Sequence, residues 1–224
     1  MATSGKKAHG SELQYGDAAG TEKFTTVTEN TVITPGEATS ETADVTSHDS
    51  AADEFVNIGV VDEGEYDVEG IWSASTSQEA VRAKLGGAKG NWQLCTPNWG
   101  KRTKDFTTDF TTDLVSAATH LLTTGQPVRL TTSAADLPDP LVIDTTYYVI
   151  WVSADTLKLA ATNALAVAGT PINLADDGAG THTLQIGTRI DMAAVSTSYK
   201  ILAERGDVIR HGFKFKVTGA TAWS

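Results

Sequence analysis

Cysteine is nearly absent: Cys95 stands alone in 224 residues. One thiol excludes an internal disulfide framework and any thiolate-rich metal site, so packing and backbone pairing must hold the fold. No apolar run approaches the roughly 18 residues that a membrane span needs, and the opening MATSGKKAHG lacks the apolar stretch of a signal peptide. Positive charge is short, with 17 Lys and Arg against 28 Asp and Glu and a net charge of -11. An acidic chain repels phosphate, which argues against a sequence-reading nucleic-acid binder. Helical periodicity is scarce as well. Thr and Val are abundant and turn residues recur at strand-length intervals, the pattern of an all-β, antiparallel sandwich or barrel-like protein.

One short helix is expected over 77–85, with Ser77 as cap, a stripe of Ala80, Val81, Lys84 and Leu85 on its apolar side, and Gly86–Gly87 as the stop. Before it, residues 65–72 alternate Tyr66 and Val68 against carboxylates; after it, 91–95 puts Trp92 and Leu94 on one side. Near the end, Phe213, Phe215 and Val217 alternate with Lys214 and Lys216, a half-buried strand with a basic outer face, and 198–202 is its natural partner.

The middle of the chain differs in composition. Residues 106–186 carry eight Asp, no Glu, one Arg and one Lys, whereas the remainder holds all eleven Glu. This sorting marks 106–186 as an inserted β domain within a host of 1–105 and 187–224, its Thr/Asp-rich ends lying close together. Inside it, 145–152 is apolar on both faces, with Tyr147, Val149 and Trp151 expected in the core. A turn at 153–155 returns the chain through 156–160, and 127–130 and 171–174 supply further strands of a small sandwich or barrel.

Chemistry is sparse. Ser47, His48 and Asp49 are adjacent in an extended segment, so their side chains cannot form a nucleophile, base and orienter relay. His9, His48, His120, His182 and His211 include no pair at metal-ligand spacing. Asp176–Asp177–Gly178 lacks the alternating carboxylates of a calcium loop and reads as a turn. Residues 101–104 form the one basic cluster, read as a solvated loop or an inter-subunit salt-bridge donor. The expectation is a non-enzyme without cofactor or metal.

The host segments resemble the tail tube (major tail) proteins of long-tailed bacteriophages. The likeness is carried by residues 39–50, with Asp44-Val45-Thr46-Ser47-His48-Asp49 as its most specific text, by the Gly64–Gly70 strand, by the helix and short strand that follow, and by the closing Lys216-Val217-Thr218-Gly219. The insertion resembles modules of phage structural proteins through 127–132, 145–150 and 180–184. The resemblance implies a virion protein, made in the host cytoplasm, that self-assembles into stacked hexameric rings forming a hollow tube for DNA. It also implies partners among other tail proteins, such as tape measure, terminator and distal tail proteins, and places the insertion on the tube exterior. DNA would pass without sequence-specific binding, which a negative wall favours. The loop around 47–63 and the arm 1–12 are the implied ring-to-ring contacts, with Asp44, Thr46, His48, Asp49, Asp53, Phe55, Asp62 and the near-terminal Trp223 as contact candidates. The other reading is a carbohydrate-binding or host-surface adhesion module, stacking sugars on Tyr147, Tyr148 or Trp151.

Overall fold

The computed structural model describes residues 10–49, 52–134, 136–204 and 207–223. In chain order, β1 (Glu12–Gly16), β2 (Phe24–Thr26), β3 (Asn30–Thr34), β4 (Thr39–Asp44), β5 (Phe55–Asp62) and β6 (Glu65–Ile71) precede helix α1 (Thr76–Ala83). There follow β7 (Gly90–Thr96), β8 (Arg102–Asp109), β9 (Leu114–Ser116), β10 (Pro127–Thr132), β11 (Thr146–Trp151) and β12 (Thr156–Ala160). Helix α2 (Asn163–Ala168), β13 (His182–Ile186), β14 (Thr188–Leu202), β15 (Arg210–Val217) and β16 (Ala222–Trp223) complete the chain. The expected all-β architecture is what the chain adopts. It divides into two compact units, one of Met1–Val27, Asn91–Asp191 and Trp223–Ser224, the other of Thr28–Gly90 and Met192–Ala222.

In the first unit, β8 to β13 close a barrel in the order β10-β11-β12-β9-β8-β13. Its ends meet because β10 pairs with β13, Val128 opposite Ile186, and the first and last barrel strands of the chain, β8 and β13, pair as well, Phe106 opposite His182 and Arg102 opposite Ile186. The inward positions, among them Val115, Val128, Leu130, Val149, Leu157, Leu184 and Ile186, form one apolar core. The barrel thus begins at Arg102. The cluster at 101–104 is therefore mostly strand, not loop: Arg102 donates to His120 O and Lys104 to Ala118 O. Two further expectations are corrected. Residues 171–174 form no strand; the Ile172 amide bonds Leu159 O outside the ladder, since Pro171 has no N–H to offer one. Trp151 sits at the end of β11 where the barrel opens, 38% exposed, instead of in the core. The short α2, capped by Thr162 and closed by Gly169 at φ 74°, was not expected, since six residues are too few to show a helical period.

The same unit carries strands in the order β2-β1-β7, joined to the barrel by a buried polar seam. Asn163 Nδ2 donates to Phe24 O (2.9 Å) and Gly125 O (3.0 Å), and its Oδ1 accepts from the Thr26 amide (2.9 Å). Gln14 Nε2 also donates to Gly125 O (2.8 Å), and Tyr148 Oη donates to Glu12 (2.7 Å). Gly125 is at φ 94°, and a Cβ there would strike Phe24 O, so only glycine lets the loop approach this closely.

In the second unit the strand order is β14-β15-β6-β3. The expected alternation on β15 buries Phe213, Phe215 and Val217, and Tyr66 stacks on Phe215 at 5.0 Å. The basic outer face is neutralised by β6 and the end of β5: Lys214 lies 3.3 Å from Asp67 and 3.4 Å from Glu65, and Lys216 lies 2.6 Å from Asp62. The helix starts earlier than expected, with Ser75 as N-cap and Ser77, Gln78 and Val81 as its buried side chains. Leu85 falls beyond the C-cap and is exposed. Gln78 explains the shift in face, because its amide bonds Ile71 O, the Ser73 N–H and His211 Nε2.

Candidate assembly interface

Seven of the eight contact candidates lie on one feature. Strands β4 and β5 form a two-stranded sheet of their own, Thr39 opposite Asp62 and Asp44 opposite Phe55. Among the described residues no third strand joins this hairpin, so both strands are edge strands. The turn is built by side chains that imitate backbone: Asp44 Oδ1 accepts from the Thr46 amide (2.9 Å), and Thr46 Oγ1 accepts from the Glu54 amide (2.8 Å). These bonds hold the Asp44 carboxyl below its usual range, first through the Thr46 side chain and then through its amide. His48, Asp49 and Asp53 are exposed at the tip, and Phe55 is 62% exposed. Asp62 stands at the root, its carboxyl pulled down chiefly by Lys216. Trp223 is apart from this group, in β16 and 70% exposed. Residues 1–9 of the expected contact arm lie outside the described residues.

Apolar side chains at the hairpin add what the polar candidates did not foretell. Val45, Val56 and Val61 are exposed beside Phe55. A second exposed apolar set is Ile71, Ile201, Leu202, Val208 and Ile209, of which Ile71, Leu202 and Val208 line a groove of about 510 Å³ beside β6, β14 and β15. The signal was present in the sequence as apolar pairs, Ile201–Leu202 and Val208–Ile209, flanking a charged turn. His211 lines the same groove; its Nε2 accepts from Gln78 and its Nδ1 is buried with no partner among the described residues. Burial pushes its pKa down.

Among the described residues no group of three or more His, Cys, Asp or Glu side chains is placed to hold a metal ion. Ser47, His48 and Asp49 are spread over the exposed tip. Asp176 and Asp177 cap turns, accepting from the Asp139, Gly178 and Phe110 amides. Of the aromatic side chains on which sugar stacking would rest, Tyr147 is buried, its Oη accepting from the Val142 amide, and Tyr148 is bonded to Glu12. Only Trp151 is open.

No family model and no curated protein matches the sequence. Among solved structures, a chain in the tail of an empty gene transfer agent (GTA) particle of C6 helical symmetry shares the fold, over 98% of this chain and 99% of its own, at TM-score 0.50 and 11% identity. A chain of the six-fold symmetrised anti-feeding prophage (AFP) baseplate aligns over 100% of this chain and 97% of its own, at TM-score 0.45 and 7% identity.

Proposed function

We propose that the protein is a structural virion subunit that assembles into stacked hexameric rings, forming the hollow phage tail tube through which DNA is delivered. The observation that carries this reading is the β4–β5 hairpin, a two-stranded element outside the larger sheets that exposes Phe55, Val45 and Val56. Such an element is an aggregation hazard unless a copy of the chain completes it. The end-to-end likeness in fold to a subunit of a C6 tail supports the same reading. Strand β3 ends the β14-β15-β6-β3 order and offers an edge for pairing within a ring. The edge of β2, by contrast, is occupied, since the Phe24 amide bonds Thr124 O.

In this assembly the hairpin, with Asp44, Thr46, His48, Asp49, Asp53, Phe55 and Asp62, makes the ring-to-ring contact, and Trp223 adds a contact at the chain end. The barrel lies on the tube exterior, where it leaves the bore clear. The subunit is made in the bacterial cytoplasm and meets tape measure, terminator and distal tail proteins at the tube's ends. The net charge of -11 keeps passing DNA from gaining counterion-release binding energy. The chain acts by packing and catalyses nothing. Negative-stain microscopy of the concentrated protein tests the reading: hollow tubes are expected, and deletion of 49–60 leaves folded, dispersed protein. Normal tubes from that deletion refute the hairpin's role.

A further inference from the structure

We propose that His211 is an acid-sensitive latch: its neutral imidazole holds Gln78 and the head of α1 against the end of β6, and protonation lets that head go. The latch does not depend on whether the chain builds tubes. Hydrogen bonding fixes which ring nitrogen carries the proton. Gln78 is fully buried. Its Oε1 accepts from the Ser73 amide at 3.0 Å, while its Nε2 donates to Ile71 O at 2.8 Å and lies 3.3 Å from Thr28 O. Turning the amide over would set its oxygen against those two carbonyls, so Nε2 is the atom that faces His211 Nε2, 3.2 Å away. An NH2 group only donates. His211 Nε2 therefore accepts, and the neutral ring carries its hydrogen on Nδ1, which is buried with no partner among the described residues.

A proton added at Nε2 points at a group that is itself a donor. The 3.2 Å contact then sets donor against donor, and Gln78, on a helix of eight residues, yields before a strand that is paired on both sides. What it releases is local: Ile71 O at the end of β6, Thr28 O ahead of β3, and the Ser73 N–H in the strap that leads to the Ser75 N-cap. Thr28 also meets the first turn of α1 through Ser77 Oγ, which accepts its amide at 3.2 Å, and through the Ser75 hydroxyl at 2.9 Å. The ring is 2% exposed among Trp72, Tyr199 and Phe213, surroundings that disfavour a charge. The charged groups around it are exposed Glu29 before β3, Glu79 and Arg82 on α1, which act on Tyr199, and Glu69, Lys200, Glu204, Asp207 and Arg210, which line the groove with His211. Burial, not any of these charges, pushes the His211 pKa down, so the latch is closed at neutral pH. The opened state takes the proton first, and closure is lost as pH falls below about 6.5. Once clear of Gln78, the imidazolium has Glu69, Glu204 and Asp207 to turn to on the groove side.

The test is amide hydrogen exchange of the full chain between pH 7.5 and 5, corrected for the intrinsic exchange rate. Each unit by which the closed-state pKa lies below that of the opened state is a tenfold change in opening, so residues 71–83 are expected to lose about tenfold in protection, while barrel strands β10 and β13 keep theirs. Ring 15N shifts at pH 7.5 are expected to report the Nδ1–H tautomer of His211. His211→Gln keeps an acceptor for Gln78 that takes up no proton, and should hold the protection of 71–83 level across the range. Gln78→Glu sets a carboxylate against Nε2 and should move the ring titration of His211 above about pH 6.5. The Nε2–H tautomer, or protection at 71–83 that stays constant while His211 titrates, overturns the latch, and both are read on the wild-type chain without a folded variant. A loss that persists undiminished in His211→Gln also overturns it.

Discussion

Replacing Asn163 with alanine is expected to destabilise the barrel-bearing unit by about 2–4 kcal/mol. The amide makes three bonds, at 2.9, 3.0 and 2.9 Å, to Phe24 O, Gly125 O and the Thr26 N–H, and the residue is only 8% exposed. Gly125 O keeps a second donor, Gln14 Nε2 at 2.8 Å, so its loss is partial. Phe24 O and the Thr26 N–H have no such substitute. Each net bond is worth about 1 kcal/mol, and each stranded backbone group adds about 1 kcal/mol or more, which gives the stated range. Set against a typical domain stability of about 5–15 kcal/mol, that is a large fraction. With a urea m-value of about 2 kcal/mol/M, the midpoint moves down by roughly 1–2 M. The assay is urea unfolding followed by tryptophan fluorescence, to which Trp92, buried in the same unit, contributes. Asn163→Asp discriminates hydrogen bonding from packing. It conserves volume and the acceptor for Thr26, but turns a carboxylate oxygen toward the Phe24 and Gly125 carbonyls, so it should be at least as damaging as alanine. If Asn163→Ala costs under 0.5 kcal/mol, or Asn163→Asp unfolds like the wild type, the seam does not hold the unit as argued.

Gly125→Ala should destabilise by at least about 2 kcal/mol in the same melt, because φ 94° and the Phe24 carbonyl both oppose a Cβ; a neutral effect contradicts the close approach. Burial and the nearby Glu12 push the Cys95 thiol up, so a disulfide reagent at pH 8 should react only as the chain opens, with a rate that climbs with urea; rapid labelling of native protein contradicts its burial. For His211 the folded pKa is depressed, so the unfolded chain binds the proton first and stability falls as pH drops below about 6.5. Its ring contacts are Trp72, Tyr199 and Phe213. His211→Gln should flatten that slope between pH 7 and 5, a window distinct from that of Asp44, Asp62 and Asp109, whose lowered pKa values place their losses below about pH 4. An unchanged slope removes His211 from the account. Lys216→Ala breaks an exposed pair and should cost no more than about 1 kcal/mol by urea melt; a larger loss means the pair is structural.

Strands whose two faces meet different surroundings were legible residue by residue. The alternation at 213–217 and at 65–71 assigned both the buried aromatics and the charged face, because a period of two has one way to lie on a core. The failures occurred where local pattern and tertiary surroundings part. Residues 171–174 look like a strand but run alongside Leu159 without a ladder. Trp151 continues an inward-facing alternation past the point where the barrel has an interior to offer. The helix was found, but its buried face was misjudged, since polar Ser77 and Gln78 point inward to bond strand ends that only the folded chain supplies.

The candidate interface divides in the same way. The loop around 47–63 stands out in the text as polar and unpaired between strands; the structure turns its second half into β5, paired with β4 in one hairpin. The groove at the far end of β6 does not stand out, because Ile71, Leu202 and Val208 come from three segments that only antiparallel register brings together. Composition and period determined that this chain is built of antiparallel sheets with buried alternating faces, since these depend on neighbours along the chain. Which apolar side chains remain uncovered and which lysines are neutralised were decided by the tertiary structure, because exposure and charge pairing are properties of residues far apart in sequence.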